Sequence, residues 1–291
     1  MNAWPIAAMT DARCLLHCPL GVPGSGRVRY GAAMALWRDG LLSEPQLEVY
    51  REAAAHDARD PAPILAERHL PPVPALPEAS PLAGLYHALR DYLLALDHPG
   101  AAEVRTGLPP DPGRPSAPRS NGNTVVDRWL APALATLDGG HLGLAQAIAA
   151  AAPLLEWQRY DAYPPDEIGP AFAEGHAFAP VLGDGAPFAA DDFDMGLFLI
   201  APGLLYRDHA HPAPELYAPL TGPHGWRFGA DRPLVMKPAH MPVWNPPEQP
   251  HLTRVGSLPF LAIYVWTRDV TLPARILPAT DWDRLEMLPD V

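Results

Sequence analysis

Apolar positions along this chain change their period once, near Phe172. Upstream they recur at helical spacing. Val28, Ala32, Ala35 and Leu36 mark one face of a short helix over 28–38, which stops at Asp39-Gly40, where glycine can take the left-handed cap. Ser43-Glu-Pro45-Gln46 has the form of a capping box with proline in the first turn, and Leu47, Tyr50 and Ala54 continue a second helix to about His56. Ser80-Pro81 opens the clearest helix, with Leu82, Leu85, Leu89, Leu93 and Leu96 on one stripe until Asp97-His98-Pro99-Gly100 ends it. Helical patterns follow over 125–137 and 141–157, the second interrupted by Pro153. Downstream, apolar runs shorten to 177–182, 195–200, 215–220, 226–228, 234–237 and 259–266, separated by Gly, Pro, Asp and Asn. Such runs predict an all-β sandwich or barrel. In the last, Phe260, Tyr264 and Trp266 alternate with Leu261, Ile263 and Val265, and the aromatic face is expected to line a ligand cavity.

The connections divide the chain. His69 to Ser80 carries four prolines and reads as an extended linker, so residues 1–75 form a helical N-terminal extension, 76–170 a helical region that packs on the barrel, and 171–291 the barrel itself. Every candidate for chemistry lies after the linker. The extension is therefore expected to be dispensable for catalysis and suited to docking or homodimer formation. Residues 108–123 contain five prolines with Gly, Ser and Asn and predict a mobile surface loop able to lie over the barrel mouth.

With 291 residues and 48% hydrophobic content the chain can bury a full core. Acidic residues outnumber basic ones by 33 to 21, for a net charge of -12, and no basic run occurs, which excludes a nucleic-acid partner. No apolar stretch reaches the length of a membrane span, and residues 1–13 lack the charged start and apolar core of a signal peptide, so a cytoplasmic protein is expected. Cys14 and Cys18 flank His17 at a spacing that would share a helix face, and read as reduced thiols. His87, His98, His141 and His176 have no partner at ligand spacing and read as exposed or hydrogen-bonded side chains.

The chemistry concentrates in Tyr206-Arg-Asp-His209-Ala-His211-Pro-Ala-Pro-Glu215-Leu-Tyr217. On a strand His209 and His211 share a face, and after the bend at Pro212 and Pro214 so can Glu215 and Tyr217. Two imidazoles and a carboxylate suit one first-row divalent ion of the zinc, iron or manganese type, completed by a further nitrogen or water. His251, forty residues after His211, is the downstream candidate.

The spacing His-x-His, Glu four residues on and Gly222 beyond resembles the first motif of the cupins, double-sheet jelly-roll barrels that hold a metal in the lumen. Tyr206, His209-x-His211-Pro-Ala-x-Glu215-x-Tyr217, Gly222 with Trp226, Pro250-His251, and Pro259-Phe-Leu-Ala-Ile-Tyr264-Val-Trp266 narrow it to the dimethylsulfoniopropionate (DMSP) lyases, over roughly residues 80–291. The second motif departs from the general cupin pattern, reading Met241-Pro-Val-Trp244-Asn-Pro-Pro-Glu-Gln-Pro250-His251 without the usual glycine turn.

The resemblance implies a mainly β protein with a C-terminal cupin barrel after a helical N-terminal region. It implies a divalent zinc, iron, manganese, cobalt or nickel ion on His209, His211, Glu215 and His251, and a small zwitterionic substrate with a sulfonium and a carboxylate. In that reading DMSP undergoes β-elimination to dimethyl sulfide and acrylate, Tyr217 matches the base and Tyr206 a tyrosine that orients the substrate. The sulfonium has no hydrogen-bond donor and calls for aromatic faces, for which Trp226, Tyr264 and Trp266 are the candidates, with Trp157 and Tyr160 after them. One fold and one metal shell serve many reactions, so an oxygenase or isomerase acting on a small carboxylate, or a binding cupin without catalysis, stays open here.

Overall fold

The computed structural model describes residues 12–74 and 80–288. The chain divides into two compact units, Met1–Ser80 and Pro81–Val291.

The first unit holds α1 (Ala12–Leu16), α2 (Ser25–Arg38), α3 (Glu44–Ala53) and α4 (Pro61–Glu67). Leu16, Ala32, Ala33, Leu36, Leu42 and Tyr50 form its core. The capping box closes as its sequence requires: Gln46 N–H donates to Ser43 Oγ at 3.4 Å, and Ser43 N–H donates to Gln46 Oε1 at 2.9 Å. Helix α4 was not anticipated, although Asp60 caps it by accepting from Ala62 N–H and Pro61 fills its first turn. Cys18 is a free thiol beyond the end of α1, so the two cysteines do not share that helix. The Cys14 side chain, residues 1–11 and residues 75–79 of the linker lie outside the described residues.

The second unit begins with α5 (Pro81–Ala95), whose Leu82, Leu85, Tyr86, Leu89 and Leu93 are all buried. Helix α6 (Pro99–Gly107) follows at once, where the sequence suggested only a stop, because His98 reverses role and caps it by accepting from Gly100 N–H. Asn123 caps α7 (Thr124–Leu134), and Pro153 ends the regular part of the next pattern, leaving α8 (Leu142–Ala151) with a 3-10 turn after it. The segment 108–123 is irregular as expected, but it is tied down away from the cavity described below. Ser116 N–H donates to the Pro187 carbonyl, and the Asn121 side chain brackets Trp157, donating to its carbonyl and accepting its N–H. Short helices α9 (Pro165–Ile168) and α10 (Pro170–Gly175) lead into the strands.

The strands are β1 (His176–Leu182), β2 (Asp194–Ile200), β3 (Leu205–Ala210), β4 (Glu215–Pro219), β5 (His224–Arg227), β6 (Val235–Lys237), β7 (Val243–Asn245), β8 (His251–Arg254), β9 (Phe260–Trp266) and β10 (Arg275–Ile276), before α11 (Trp282–Glu286). They make two five-stranded antiparallel sheets in the orders β1-β2-β9-β4-β7 and β10-β3-β8-β5-β6, the double-sheet jelly roll of a cupin. The strand period then sorts the first sheet. Leu261, Ile263 and Val265 of β9, with Leu197 and Leu199 of β2, join α5, α7 and α8 in one apolar core. Phe260, Ala262, Tyr264 and Trp266 turn to the other face and, with Phe198, Tyr206 and Tyr217, form the second core. The alternation read from the sequence is thus the division between helix-facing and lumen-facing residues.

Two local devices shape the lumen. Pairing of β3 with β8 slips between Tyr206 and His209, a bulge that lets these residues, three apart, face the same way. Asp208 between them faces oppositely, where it is paired with Arg227 and accepts from Trp282 Nε1–H at 2.8 Å. Gly196 of β2 lies opposite Tyr264 of β9, and a Cβ there would stand 2.3 Å from the Ala179 carbonyl oxygen and 2.8 Å from the Tyr264 ring. Gly196→Ala is expected to destabilise by about 1–3 kcal/mol through overpacking, visible as a lower denaturant midpoint. An unchanged midpoint would show that β1 and Tyr264 yield freely. Among the described residues no helix is long and apolar enough to cross a membrane.

Candidate metal centre and its cavity

His209 near the end of β3 stands directly across from His251, the first residue of β8, and His211 follows one residue after β3 ends. One ligand atom from each of these buried imidazoles lies within 4.8 Å of the others. Each ring is turned by its own backbone: Nδ1–H donates to the Arg207 carbonyl from His209 at 2.8 Å, to Ala213 from His211 at 2.7 Å, and to Gln249 from His251 at 2.8 Å. A carbonyl can only accept, so the proton sits on Nδ1 and the Nε2 lone pairs are left to face inward. Among the described residues Nε2 of His209 and of His251 finds no hydrogen-bond partner despite complete burial. His211 Nε2 faces Glu215 Oε2 at 3.2 Å, and His251 Nε2 is 3.3 Å from the same oxygen. A lone pair beside a carboxylate is stable only with a proton or a cation shared between them. Tautomers fixed from behind and orphaned inward lone pairs fit a divalent transition metal.

Glu215 opens β4, where the Glu215 carboxylate also accepts from Asn245 Nδ2–H at 3.1 Å and from Trp266 Nε1–H at 2.8 Å. Trp266 in turn stacks on His211, with ring centroids 4.4 Å apart. Burial, reinforced by the neighbouring imidazoles, holds His209 well below the ordinary histidine range, which favours the neutral ligand form. Burial alone would raise Glu215, but electrostatic attraction and hydrogen bonding from the His211 and His251 side chains outweigh it and hold its carboxyl well below the usual range.

Beside the imidazoles lies a cavity of about 700 Å³, its open mouth included. Tyr160, Tyr163, Phe178, Phe198, Tyr206, Tyr217, Tyr264 and Trp266 supply its aromatic wall, and Asp194 and Glu215 its charged groups. The concave, mostly apolar and aromatic lining with a few polar groups is that of a small-molecule site. Tyr206 stacks on His209 at 3.9 Å and shares a 2.8 Å hydrogen bond between its hydroxyl and that of Tyr163. Tyr217 stands two residues from Glu215 on the same strand face. Burial above all, with the Glu215 charge adding to it, pushes its phenol well above 10. Burial raises Asp194 to about 7.

Comparison with known proteins bears on this arrangement. The family model described as dimethylsulfoniopropionate lyase matches residues 112–262. The chain is also 30% identical over 139 residues to the DMSP lyase DddQ of Ruegeria pomeroyi, a match covering 47% of this chain and 68% of that protein. The chain belongs to the DMSP lyase family. Among solved structures, one of the DMSP lyases RdDddP and RnDddQII superposes with a TM-score of 0.58 at 23% identity, covering 68% of this chain and 98% of that one. The crystal structure of DddQ from Ruegeria pomeroyi DSS-3 gives a TM-score of 0.49 at 24% identity, over 68% and 97% of the two chains.

Most residues singled out for a DMSP lyase meet here. His209, His211, Glu215 and His251 cluster, and Tyr206, Tyr217, Tyr264 and Trp266 line the adjoining cavity. Trp226 does not line it: the ring is fully buried in β5 behind Tyr217, at 5.5 Å between centroids. Trp157 is buried elsewhere, donating from Nε1 to the Ala152 carbonyl, whereas Tyr160 reaches the wall. Of the histidines set aside, His176 is buried with both ring nitrogens bonded, to the Phe172 carbonyl and from Tyr160 N–H, and His141 stacks on His240. Sequence reasoning missed Tyr163 and Asp194. Asp194 had a legible signal in its period-two relation to Phe198, and Tyr163, in a loop of irregular backbone, had none.

Proposed function

We propose that this chain is a metal-dependent carbon–sulfur lyase that converts DMSP to dimethyl sulfide and acrylate. The observation that carries the reading is the convergence of three Nδ1-anchored imidazoles beside an aromatic-walled cavity that also presents Tyr217.

His209, His211 and His251, with Glu215, would hold one divalent ion of zinc, iron, manganese, cobalt or nickel. Bound there, it would supply positive charge both to the substrate carboxylate and to the negative charge that develops as the neighbouring C–H bond breaks. Tyr217, as phenolate, accepts that proton. The C–H electron pair forms the carbon–carbon double bond, and the C–S bond breaks with its pair leaving on sulfur. Acrylate and neutral dimethyl sulfide result. Burial and the Glu215 carboxylate keep the proton on Tyr217, and a cation held by these residues would oppose both. Tyr206, held by Tyr163 and by its stack on His209, orients the substrate. The apolar wall excludes water, and Tyr264 and Trp266 face the sulfonium.

Headspace detection of dimethyl sulfide, with acrylate in equal amount, from purified metal-loaded protein tests the activity. Release of neither product would rule it out and leave another cupin activity on a small carboxylate. Tyr206→Phe removes one orienting hydroxyl worth about 0.5–1.5 kcal/mol, so its rate is expected to fall by only about two- to tenfold. A loss of a thousandfold in a metal-replete Tyr206→Phe variant would make Tyr206 a proton-transfer group instead.

A further inference from the structure

Asp194 is a charged group in the cavity to which the elimination gives no task. It opens β2 and aligns across the first sheet with Trp266 of β9, which aligns in turn with Glu215 of β4. Two strand spacings separate Asp194 from Glu215, roughly 10 Å between backbones. One end of that row is the imidazole cluster and the other is a lone carboxyl. Between them stand Trp266 and Tyr264, and the Tyr264 hydroxyl donates to Asp194 at 3.3 and 3.4 Å. The Tyr264 ring can lie over β2 toward Asp194 because Gly196 leaves it room. Among the described residues no lysine or arginine lines the cavity. A carboxyl in such a place carries a desolvation cost, seen in its raised pKa of about 7, and a cation beside it would offset that cost.

We propose that Asp194, oriented by Tyr264 and flanked by aromatic rings, is the counter-charge for the onium end of a short zwitterionic substrate whose carboxylate lies at the imidazole cluster. The inference rests on the proposed function for the position of the substrate carboxylate. An alkylated sulfonium or ammonium cannot donate hydrogen bonds, so it is recognised by charge and by ring faces alone. Aromatic rings by themselves separate a cation from a neutral group of the same shape only weakly; a buried carboxylate adds a Coulomb term that the neutral group does not feel. Asp194 thereby acts as a specificity residue, while Tyr264 positions its carboxyl.

The test uses metal-loaded protein and an isosteric pair, 3-(trimethylammonio)propionate and 4,4-dimethylpentanoate, with affinities measured by calorimetry. The carboxylate end is common to both ligands and cancels. Wild type is expected to prefer the ammonium compound by about tenfold or more. Asp194→Asn should abolish that preference while leaving the affinity for 4,4-dimethylpentanoate within about twofold. Tyr264→Phe should reduce the preference less. The Asn variant keeps the shape of the side chain and removes a buried charge, so its melting temperature at pH 8 should match or exceed that of wild type, which verifies the fold. A preference retained in Asp194→Asn, or absent from wild type, would overturn the proposal, and so would an equal loss of affinity for both ligands. Protein that shows the Asp194-dependent preference but releases no dimethyl sulfide from DMSP would keep this inference and discard the lyase activity.

Discussion

Replacing Tyr217 with phenylalanine is expected to lower the rate of dimethyl sulfide release by about 10²- to 10⁴-fold, the usual consequence of losing a general base. The argument is one of subtraction. The ring of Tyr217 packs among Phe198, Trp226 and Phe260, with centroids 5.5–6.2 Å away, and phenylalanine keeps all of those contacts. Within the cluster the hydroxyl interacts with Glu215, which Asn245 and Trp266 also hold, so metal content should stay close to that of wild type. What disappears is the oxygen proposed to take the proton beside the substrate carboxylate. The measurement is acrylate release at saturating DMSP, with metal content determined on the same samples. If the variant keeps most of its rate with metal in place, the elimination uses another base, and Tyr206 becomes the residue to test.

His211→Ala should strip the protein of its metal and reduce turnover by at least about 10³-fold, since Lewis-acid stabilisation is worth several kcal/mol. Of the imidazoles, His211 is the one in hydrogen-bond contact with Glu215 and stacked on Trp266. Its removal therefore takes a nitrogen ligand and leaves the carboxylate to Asn245, Trp266 and the His251 ring 3.3 Å away. Elemental analysis would decide the matter: near-stoichiometric metal in the variant would show that His211 is not a ligand. His251→Ala tests the ligand whose surrounding motif departs from the general cupin pattern. Comparable metal loss there would place β8 on an equal footing with β3, in line with the facing positions of His209 and His251.

The legible parts of this molecule are those where one local rule acts alone. The stripe on α5 and the alternation on β9 are pure periodicity, and both appear in the structure with the faces expected of them. The cluster of His209, His211 and Glu215 was visible because its members lie within seven residues of one another. Where two signals met, the stronger masked the weaker. Asp97-His98-Pro99-Gly100 ends α5 and also begins α6, and a stop is easier to read than a restart. The short strands β7 and β10 exist through pairing with partners distant in sequence, so their own residues carry little trace of them. The bulge between Tyr206 and His209 is likewise a property of the pair β3 and β8. Trp226 was misplaced because a tryptophan near a binding motif reads the same whether it lines the lumen or fills the core behind it.

The imidazoles belong to the second sheet or its edge, whereas Tyr217 belongs to the first. Their separation is therefore set by whatever fills the space between the sheets. Phe198, Trp226 and Phe260 wedge against Tyr217 and act as a shim of fixed thickness. On the proposed mechanism, core volume in this barrel would be a kinetic variable as well as a stabilising one. Exchange of these rings in a lineage offers a route by which an unchanged set of polar residues could drift from one reaction toward another.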